Sequence, residues 1–548
     1  MSTSAQNLQD RLPIPYYLHN FCTALQWLTA RYGDLLSDQE TDFIREFAAL
    51  PWASQALLVR LIMRKGPHFR ASKIKYAEID SPERAIGPLV SLQWIDPRPL
   101  LALHELFKLA TRAEIADMFP GLPRGILKTK AFEQLAAAHT ECRSFEEWRG
   151  SVAERVFCVS IAPLTTRLKL LFFGNFRQDW SEFVLADLGV FKYETVNFSP
   201  ESRAFQCRQD IEDFFALYEC RRQFHDEAPL LAILEQLPAV RPGHEWLENR
   251  RAKLVFQVAR EFERGGDRDS ALKLYSTCRY PGARLRAIRT LELAGRDTDA
   301  LQLACDAAAA PESGAETQKL ARILTRLKRR LRMPQPGRAS PARPERLDLI
   351  VPAPAADQSV EQLARDHLAA PDAPVHYVEN TLMNSLFGLL CWDAVFAPVS
   401  GAFFHPFHVG PADLFSPTFT ARRESELARC LARLDSEEYR DTIMARYAEK
   451  QGIQSPFVSW AVLNEPLLHS ALACIPAAHL RLVFERLLDN LPENRSGLPD
   501  LIQFWPAQSR YRMIEVKGPG DRLQDNQLRW IDFCLRHQIG VAVCHIRW

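Results

Sequence analysis

Three polar residues near the C-terminal end of the sequence could together hold a metal ion and act on a phosphate group. They lie in GLPDLIQFWPAQSRYRMIEVKG, residues 497–518. Two strand-like runs, DLIQFW and RYRMIEVK, are separated by the turn-forming PAQS, a pattern that predicts a hairpin. On the second run Met513, Glu515 and Lys517 share one face, because side chains alternate along a strand. The hairpin is expected to bring Asp500 back beside Glu515.

The chemistry of these residues suits a divalent cation. A carboxylate and an ammonium on an otherwise apolar strand are costly to desolvate unless they have a use. Two carboxylates and a strand carbonyl form a hard oxygen site of the kind that binds Mg²⁺ or Mn²⁺. Such an ion lowers the pKa of a bound water and neutralises charge on a phosphate transition state, and Lys517 could orient that water. The alternative is an ordinary salt bridge on an edge strand, which Glu-x-Lys alone would usually be.

Two further polar residues are less distinctive. Gln527 is the polar exception on the apolar face of DRLQDNQLRWIDFCLRH, where it could hydrogen-bond the acidic site or simply lie at a helix boundary. Glu379 is predicted at the N-terminal end of a long apolar helix, HYVENTLMNSLFGLLCWDAVF. A lone glutamate there is usually a partner of the helix dipole, so its position alone does not select it.

Basic residues cluster in the N-terminal part of the chain. The stretch LVRLIMRKGPHFRASKIKYAEI, residues 58–79, is as compatible with a solvated helix face and turn as with a surface that tracks phosphates. Lys128 and Lys130 stand at the start of a predicted helix, where free N–H groups also suit a phosphate. The candidate DNA-binding residues are Arg64, Lys65, Arg70, Lys73, Lys75, Lys128 and Lys130.

The elements around these residues indicate several domains. The chain has 548 residues, and GDRDSALKLY at 266–275 recurs as GRDTDALQLA at 295–304, which suggests stacked helical hairpins of the tetratricopeptide kind. A Pro/Ala-rich stretch then predicts a linker. The expected domains are an N-terminal helical DNA-binding domain (1–98), a helical hairpin (99–140), a helical connecting region (141–239), the helical repeats (240–335), the linker (336–357) and an α/β domain (358–548).

Composition restricts the compartment more than the partner. The net charge is only +1, so a nucleic-acid signal must come from local clusters. Twelve cysteines are scattered singly with no CxxC pair, which predicts reduced thiols and a cytosolic protein. The N-terminus lacks a signal pattern and no run of ~18 apolar residues occurs, so a membrane partner is not expected.

Several motifs carry a family resemblance. VEN-x8-LLCWD, PADLFSPTFTARR, GLPDL and IEVKGPGDRLQDNQ followed by VAVCHI resemble the Fanconi-associated nuclease family, whose members end in a VRR-NUC module of the PD-(D/E)XK fold. The match is dense over about 375–548. It extends to the basic stretch, to the 99–138 hairpin, which resembles a SAP-type DNA-binding motif, and to the helical repeats. One departure is that no N-terminal Cys/His zinc-finger pattern occurs, which indicates a bacterial member, acting in the cytoplasm on the nucleoid; a eukaryotic member would be nuclear.

The resemblance implies a fold and an activity. The fold expected is a mainly α-helical N-terminal and tetratricopeptide-like part followed by an α/β PD-(D/E)XK nuclease domain. The activity implied is a structure-specific DNA nuclease that cuts 5′ flaps and trims from 5′ ends with Mg²⁺ or Mn²⁺, in repair of DNA crosslinks. Asp500, Glu515 and Lys517 would be catalytic, Glu379 a further metal carboxylate, and Val516 the source of the strand carbonyl.

Action from 5′ ends requires a receptor for the terminal phosphate. Arginine is suited to this because its planar fork binds phosphate oxygens in pairs. Arg284, Arg286 and Lys319, just before the predicted linker, are the candidates.

Two other functions stay open from the sequence. One is a DNA-binding repair scaffold with an inactive nuclease fold, which the retention of four site charges argues against. The other is a four-way-junction resolvase with the same core, although stand-alone enzymes of that kind lack the upstream domains.

Overall fold

A computed structural model describes residues 15–123, 125–150, 154–175, 177–178, 180, 191–240, 244–334, 343–352 and 358–548. Its chain divides into two compact units. The first unit comprises residues up to 191 with 206–208, and the second comprises 192–205 and 209–548.

The first unit is mainly helical. Three helices occupy its N-terminal part, within the segment expected to be helical, and bury Phe21, Phe43 and Leu57. The helices are α1 (Tyr16–Tyr32), α2 (Asp38–Ala49), α3 (Trp52–Ile62), α4 (Pro82–Ser91), α5 (Leu103–Leu109), α6 (Arg112–Met118), α7 (Lys128–Ala136), α8 (Phe145–Arg149) and α9 (Ala162–Phe173). Strands β1 (His68–Arg70), β2 (Ile95–Asp96) and β5 (Val156–Val159) form one antiparallel sheet, and β3 (Leu100–Leu101) pairs with β4 (Arg143–Ser144).

The predicted hairpin at 99–138 is more divided than its amphipathic pattern indicates. Its first helix is interrupted after α5, because Thr111 accepts a hydrogen bond from the Glu114 N–H while the Glu114 carboxylate accepts one from the Thr111 N–H. This capping box begins a new helix, α6. The segment therefore contains two short helices before the turn instead of one.

In the second unit, the predicted helical repeats are present as consecutive packed helices. The repeated glycines, Gly266 and Gly295, both have left-handed backbone angles (φ 87° and 72°), which explains why the copies share a glycine at the turn. The helices from 208 to 330 are α10 (Arg208–His225), α11 (Leu230–Glu235), α12 (Glu245–Arg264), α13 (Arg268–Thr277), α14 (Ala283–Leu293), α15 (Asp297–Ala309) and α16 (Gly314–Arg330).

The C-terminal part of the second unit is an α/β domain with one five-stranded sheet. The strand order is β6-β10-β9-β8-β7, with β10 parallel to both of its neighbours and β8 antiparallel to both of its own. The strands are β6 (Glu345–Ile350), β7 (Val375–Tyr377), β8 (Leu501–Trp505), β9 (Arg510–Lys517) and β10 (Val541–Arg547). The helices are α17 (Val360–Leu368), α18 (Leu382–Leu390), α19 (Trp392–Val395), α20 (Glu424–Ala432), α21 (Glu438–Glu449), α22 (Glu465–Cys474), α23 (Ala477–Asp489), α24 (Leu491–Asn494) and α25 (Asp525–Arg536).

The two faces of this sheet bury different clusters. Ile514 and Val516 pack with Ala364 of α17 on one face, while Met513 packs with Trp530 of α25 on the other. The alternation predicted along β9 is thus confirmed. The predicted hairpin is also confirmed, with the turn formed by Pro506–Gln508.

The predicted linker at 336–357 is wrong over part of its length. The structure forms β6 within it, and β6 pairs with β10 in parallel from Glu345 to Ile350. Proline and alanine on either side conceal this short strand in the sequence. The remainder of the linker falls largely at 336–342 and 353–357, outside the described residues.

Among the described residues, no single helix is long and apolar enough to cross a membrane. One pair of helices, Glu465–Cys474 and Ala477–Asp489, which are bent by 106° relative to each other, would together be long and apolar enough, judged by length and composition only.

A buried ion-pair cluster holds the PADLFSPTFTARR segment. The Asp413 side chain is 3% exposed and accepts two hydrogen bonds, at 2.8 and 2.9 Å, from Arg423, whose side chain is fully buried. Arg422 donates to the same carboxylate at 2.7 Å. Removing the carboxylate would leave a buried guanidinium without its counter-charge.

We therefore expect Asp413→Ala to destabilise the protein by about 3–5 kcal/mol, the usual cost of breaking a buried pair from one side. Denaturant unfolding followed by tryptophan fluorescence measures the change. The control is Asp532→Ala, which removes an exposed pair with Arg536 (59% and 62% exposed) and should cost below about 1 kcal/mol. Equal shifts for the two variants would contradict this account.

Candidate active site and basic surfaces

Three of the predicted site residues meet at the N-terminal end of β8 and the C-terminal end of β9. Leu501 pairs with Ile514, so Asp500 lies at the level of Glu515 on the neighbouring strand. The Val516 N–H donates to Asp500 Oδ2 at 2.8 Å, and Lys517 Nζ lies 2.8 Å from Glu515 Oε1. Exposed fractions are only 6%, 0% and 8% for Asp500, Glu515 and Lys517. The structure therefore places two carboxylates and one ammonium in a nearly dry site.

The electrostatics of the two carboxyl groups reflect this burial. Burial raises the pKa of Asp500 to about 6, assisted by the charges of Glu379 and Glu361 and opposed by the Val516 N–H and Lys517. Burial, with the neighbouring Asp500 charge, raises the pKa of Glu515 to about 7 despite the opposing Lys517. Both groups resist ionisation because their surroundings supply too little positive charge.

Glu379 lies close to this pair but in a different setting from the predicted one. Helix α18 begins only at Leu382, so Glu379 precedes the helix and is exposed in the turn after β7. The predicted long helix is wrong over its first residues, because His376 and Tyr377 belong to the three-residue strand β7. The Tyr377 hydroxyl donates to Glu379 Oε2 at 2.6 Å and the Asn380 amide donates to Oε1 at 3.2 Å.

The donor set fits a divalent cation. Both carboxylate oxygens of Glu515 are buried; among the described residues Oε2 accepts no hydrogen bond, and Oε1 has the ion pair with Lys517 at 2.8 Å. Buried carboxylate oxygens normally have donors or a bound cation. In the described part of the chain no three His, Cys, Asp or Glu side chains already lie close enough together to hold a metal ion.

Gln527 does not make the expected hydrogen bond to the acidic residues. Its Oε1 accepts from the Gln524 N–H at 2.8 Å and completes the capping box that starts α25. The sequence analysis missed Glu361 on α17, whose charge acts on Asp500. Nothing local in the sequence connects Glu361 to a residue that lies 139 positions later.

The seven candidate DNA-binding residues of the first unit fall into two groups. Arg70 forms ion pairs with Glu114 and Glu154, and Lys128 donates to the Ala110 carbonyl at 2.8 Å, so these two serve internal contacts instead of an open surface. The partners of Arg70 are 44 and 84 residues away, which hid them from the sequence analysis. The exposed members are Arg64, Lys65, Lys73, Lys75 and Lys130.

A basic cavity of about 590 Å³ lies between α14 and α16 in the second unit. Of the three predicted phosphate-binding residues, Arg286 and Lys319 line it. Arg284 does not, because it pairs with Glu316 and the Ala310 carbonyl. The cationic residues that line the cavity are Arg286, Arg289, Lys319, Arg322, Arg326 and Arg330.

Buried acids hold several of these arginines. Arg326 donates to both oxygens of the fully buried Glu292, at 2.9 and 2.8 Å, and Arg286 pairs with Glu263. No carboxylate among the described residues lies within ion-pairing distance of Lys319, although the Lys319 charge helps to lower the pKa of Asp525. Lys319 is therefore the cavity cation most available to an anionic ligand.

Family models match three regions of the chain. They are described as FAN1, HTH domain (residues 15–96), Fanconi anemia-associated nuclease SAP domain (100–148) and VRR-NUC domain (434–548). A VRR-NUC domain implies a nuclease that depends on a divalent metal ion.

Known proteins and structures resemble the chain over nearly its whole length. A Fanconi-associated nuclease 1 homolog of Pseudomonas aeruginosa is 53% identical over 540 residues, covering 98% of this chain and 97% of that protein. A homolog of Arabidopsis thaliana is 23% identical over 97% of this chain and 67% of that protein. Crystal structures of paFAN1 bound to 5′ flap DNA with a gap (2-nt and 1-nt flaps) superpose with TM-scores of 0.90 and 0.89, at 52% identity, over 98% of this chain and 99% of each solved chain. The chain belongs to the Fanconi-associated nuclease family and is a structure-specific DNA nuclease.

Proposed function

We propose that this nuclease cleaves 5′ flaps and trims DNA from 5′ ends, using Mg²⁺ or Mn²⁺, in the repair of DNA damage that includes interstrand crosslinks. The observation that carries the proposal is the buried Asp500–Glu515–Lys517 group in a chain 52% identical to paFAN1, which was crystallised on 5′ flap DNA. A bacterial cytoplasm is the proposed compartment.

Each site residue has a role in this proposal. Asp500 and Glu515 would hold the cation, together with the Val516 carbonyl, and Glu379 would add a further carboxylate. The cation would supply an activated water and neutralise charge on the phosphate. Lys517, 2.8 Å from Glu515, would orient the attacking water or hold the scissile phosphate. The Val516 N–H fixes Asp500 in place.

The first prediction concerns the buried carboxylates. Asp500→Ala and Glu515→Ala should each reduce cleavage by more than about a hundredfold, because each removes a key electrostatic group. Folding and DNA binding should persist. The assay uses labelled flap, junction and single-stranded DNAs with and without Mn²⁺. Full cleavage in EDTA, or by either variant, would refute the assignment of the site, and a preference for four-way junctions would favour the resolvase.

The second prediction concerns Glu379. Glu379→Gln keeps the shape of the side chain but removes its charge, and it should lower cleavage about tenfold or more while the protein stays folded. Glu379 is exposed and is not in a helix, so loss of a helix-dipole contact could not account for such a drop. Circular dichroism and single-turnover cleavage measure the two properties. Normal cleavage by the purified variant would remove Glu379 from the metal site.

We also propose that the basic cavity receives the 5′-terminal phosphate. A terminal phosphate carries more negative charge than an internal one, and Lys319 and Arg286 line the cavity. Arg284 is withdrawn from this role because Glu316 and the Ala310 carbonyl occupy its guanidinium.

The third prediction follows from this cavity. Lys319→Gln should weaken cleavage of 5′-phosphorylated flaps more than cleavage of flaps that end in a hydroxyl group. Lys273→Gln is the control, since Lys273 is an exposed lysine of α13 outside the cavity lining. Equal losses on both substrates would mean that Lys319 only contacts the DNA backbone.

A further inference from the structure

Glu379 and Asp500 come from segments more than a hundred residues apart, and the sheet alone holds only one of them. Strands β7 and β8 pair as far as Tyr377 with Leu501. The Val378 N–H then donates to the Asp500 carbonyl at 2.8 Å, and the ladder ends. Glu379 lies beyond this last bond and is exposed. The Tyr377 hydroxyl of β7 holds Glu379 Oε2, at 2.6 Å, so the orientation of the carboxylate depends on a second contact at Oε1.

Asn380 makes that contact with both ends of its side-chain amide. Its Nδ2 donates to Glu379 Oε1 at 3.2 Å, and its Oδ1 accepts from the Leu498 N–H at 3.1 Å. Leu498 is two residues before Asp500. A single side chain therefore joins the turn that carries Glu379 to the segment that carries Asp500.

The surrounding contacts hold this amide in place. The side-chain amide of Asn384 donates to two backbone carbonyls, that of Asn380 at 2.6 Å and that of Arg495 at 2.9 Å. Gly497 lies so close to Asn526 of α25 that an added Cβ would be 2.8 Å away. The segment ahead of Asp500 is thus fixed between α18 and α25.

The backbone at Asn380 limits which residues fit there. Its φ is 52°, in the left-handed region that asparagine tolerates better than most residues. Glycine also adopts this conformation easily. Asn380→Gly therefore removes the two side-chain hydrogen bonds without backbone strain.

We propose that Asn380 is a positioning residue, which sets the Glu379 carboxylate against Asp500 for cation binding. The proposal rests on the proposed function of Glu379 as a metal carboxylate. Removing a residue that orients a metal ligand typically lowers metal affinity or activity by roughly 10–100-fold. An asparagine needed only for the turn would contribute to neither.

The test measures Mn²⁺ binding by calorimetry in the absence of DNA, together with cleavage of a 5′ flap. Asn380→Gly should weaken Mn²⁺ binding about tenfold or more and should reduce cleavage at limiting Mn²⁺, with partial recovery as Mn²⁺ is raised. Its melting temperature in EDTA should stay within a few degrees of the unsubstituted protein. Asn380→Asp keeps an acceptor for Leu498 but loses the donor to Glu379, and it should also impair cleavage.

Matched variants separate this inference from the proposed function. Gln538→Gly makes the same change at another left-handed residue (φ 57°), exposed after α25, and should leave Mn²⁺ affinity unchanged. If Glu379→Gln weakens Mn²⁺ binding while Asn380→Gly and Asn380→Asp bind Mn²⁺ and cleave normally, the positioning role is refuted and the function stands. If Glu379→Gln itself changes neither property, both the Glu379 assignment and the role of Asn380 are refuted.

Discussion

The burial of Glu515 is the constraint on which the nuclease domain depends. Its strand, β9, runs between β8 and β10, so its carboxylate is shielded on both sides and is 0% exposed. A carboxylate in such a place needs nearby positive charge to ionise, and Lys517 supplies one unit. The raised pKa of Glu515 indicates that this is insufficient alone. A divalent ion would supply the remaining positive charge. The pairing of β8 with β9 places Asp500 beside Glu515 and so gives such an ion a second ligand.

The last helix of the repeats is attached directly to the helix that borders this site. Arg322 of α16 forms an ion pair with Asp525 in the first turn of α25, and Arg529 of α25 donates to Gln318 at 2.9 Å. At the N-terminal end of α16, Glu493 of α24 accepts hydrogen bonds from the Ser313 hydroxyl and the Ala315 N–H. Because Arg322 also lines the basic cavity, the cavity and the acidic site belong to one continuous set of contacts.

The sequence predicted the acidic site better than its surroundings for a physical reason. Asp500, Glu515 and Lys517 lie on one hairpin, where alternation and turn residues determine the arrangement locally. The position of Glu379 depends on β7, a strand of three residues that is too short to show an alternating pattern in the sequence. It also depends on a turn at Asn380 that only long-range contacts reveal. The strand β6 was missed for a similar reason, since it is stable only when paired with β10.

For the basic residues too, the local sequence pattern accounts for the position of some side chains, whereas long-range contacts decide the role of others. Arg322, Arg326 and Arg330 recur every four residues on α16, so helical periodicity could have placed them on one face. Arg284 follows the same basic pattern in the sequence, yet Glu316 on the next-but-one helix occupies it. Charge patterns locate a basic surface, whereas pairing with buried acids decides which cations are available.

That pairing also explains how a nearly neutral chain can bind a polyanion. The acidic groups Asp500, Glu515 and Glu379 outnumber the single Lys517, so without a cation the site is unfavourable for a phosphate. The cavity has the opposite balance: six cations line it, and Glu292 and Glu263, which pair with Arg326 and Arg286, are buried. The proposed binding of DNA by the cavity would therefore need no metal, whereas the proposed placement of the scissile phosphate at the acidic site would. Since the two surfaces are linked through α16 and α25, DNA held by its end would stay near the acidic site until a cation makes cleavage electrostatically possible.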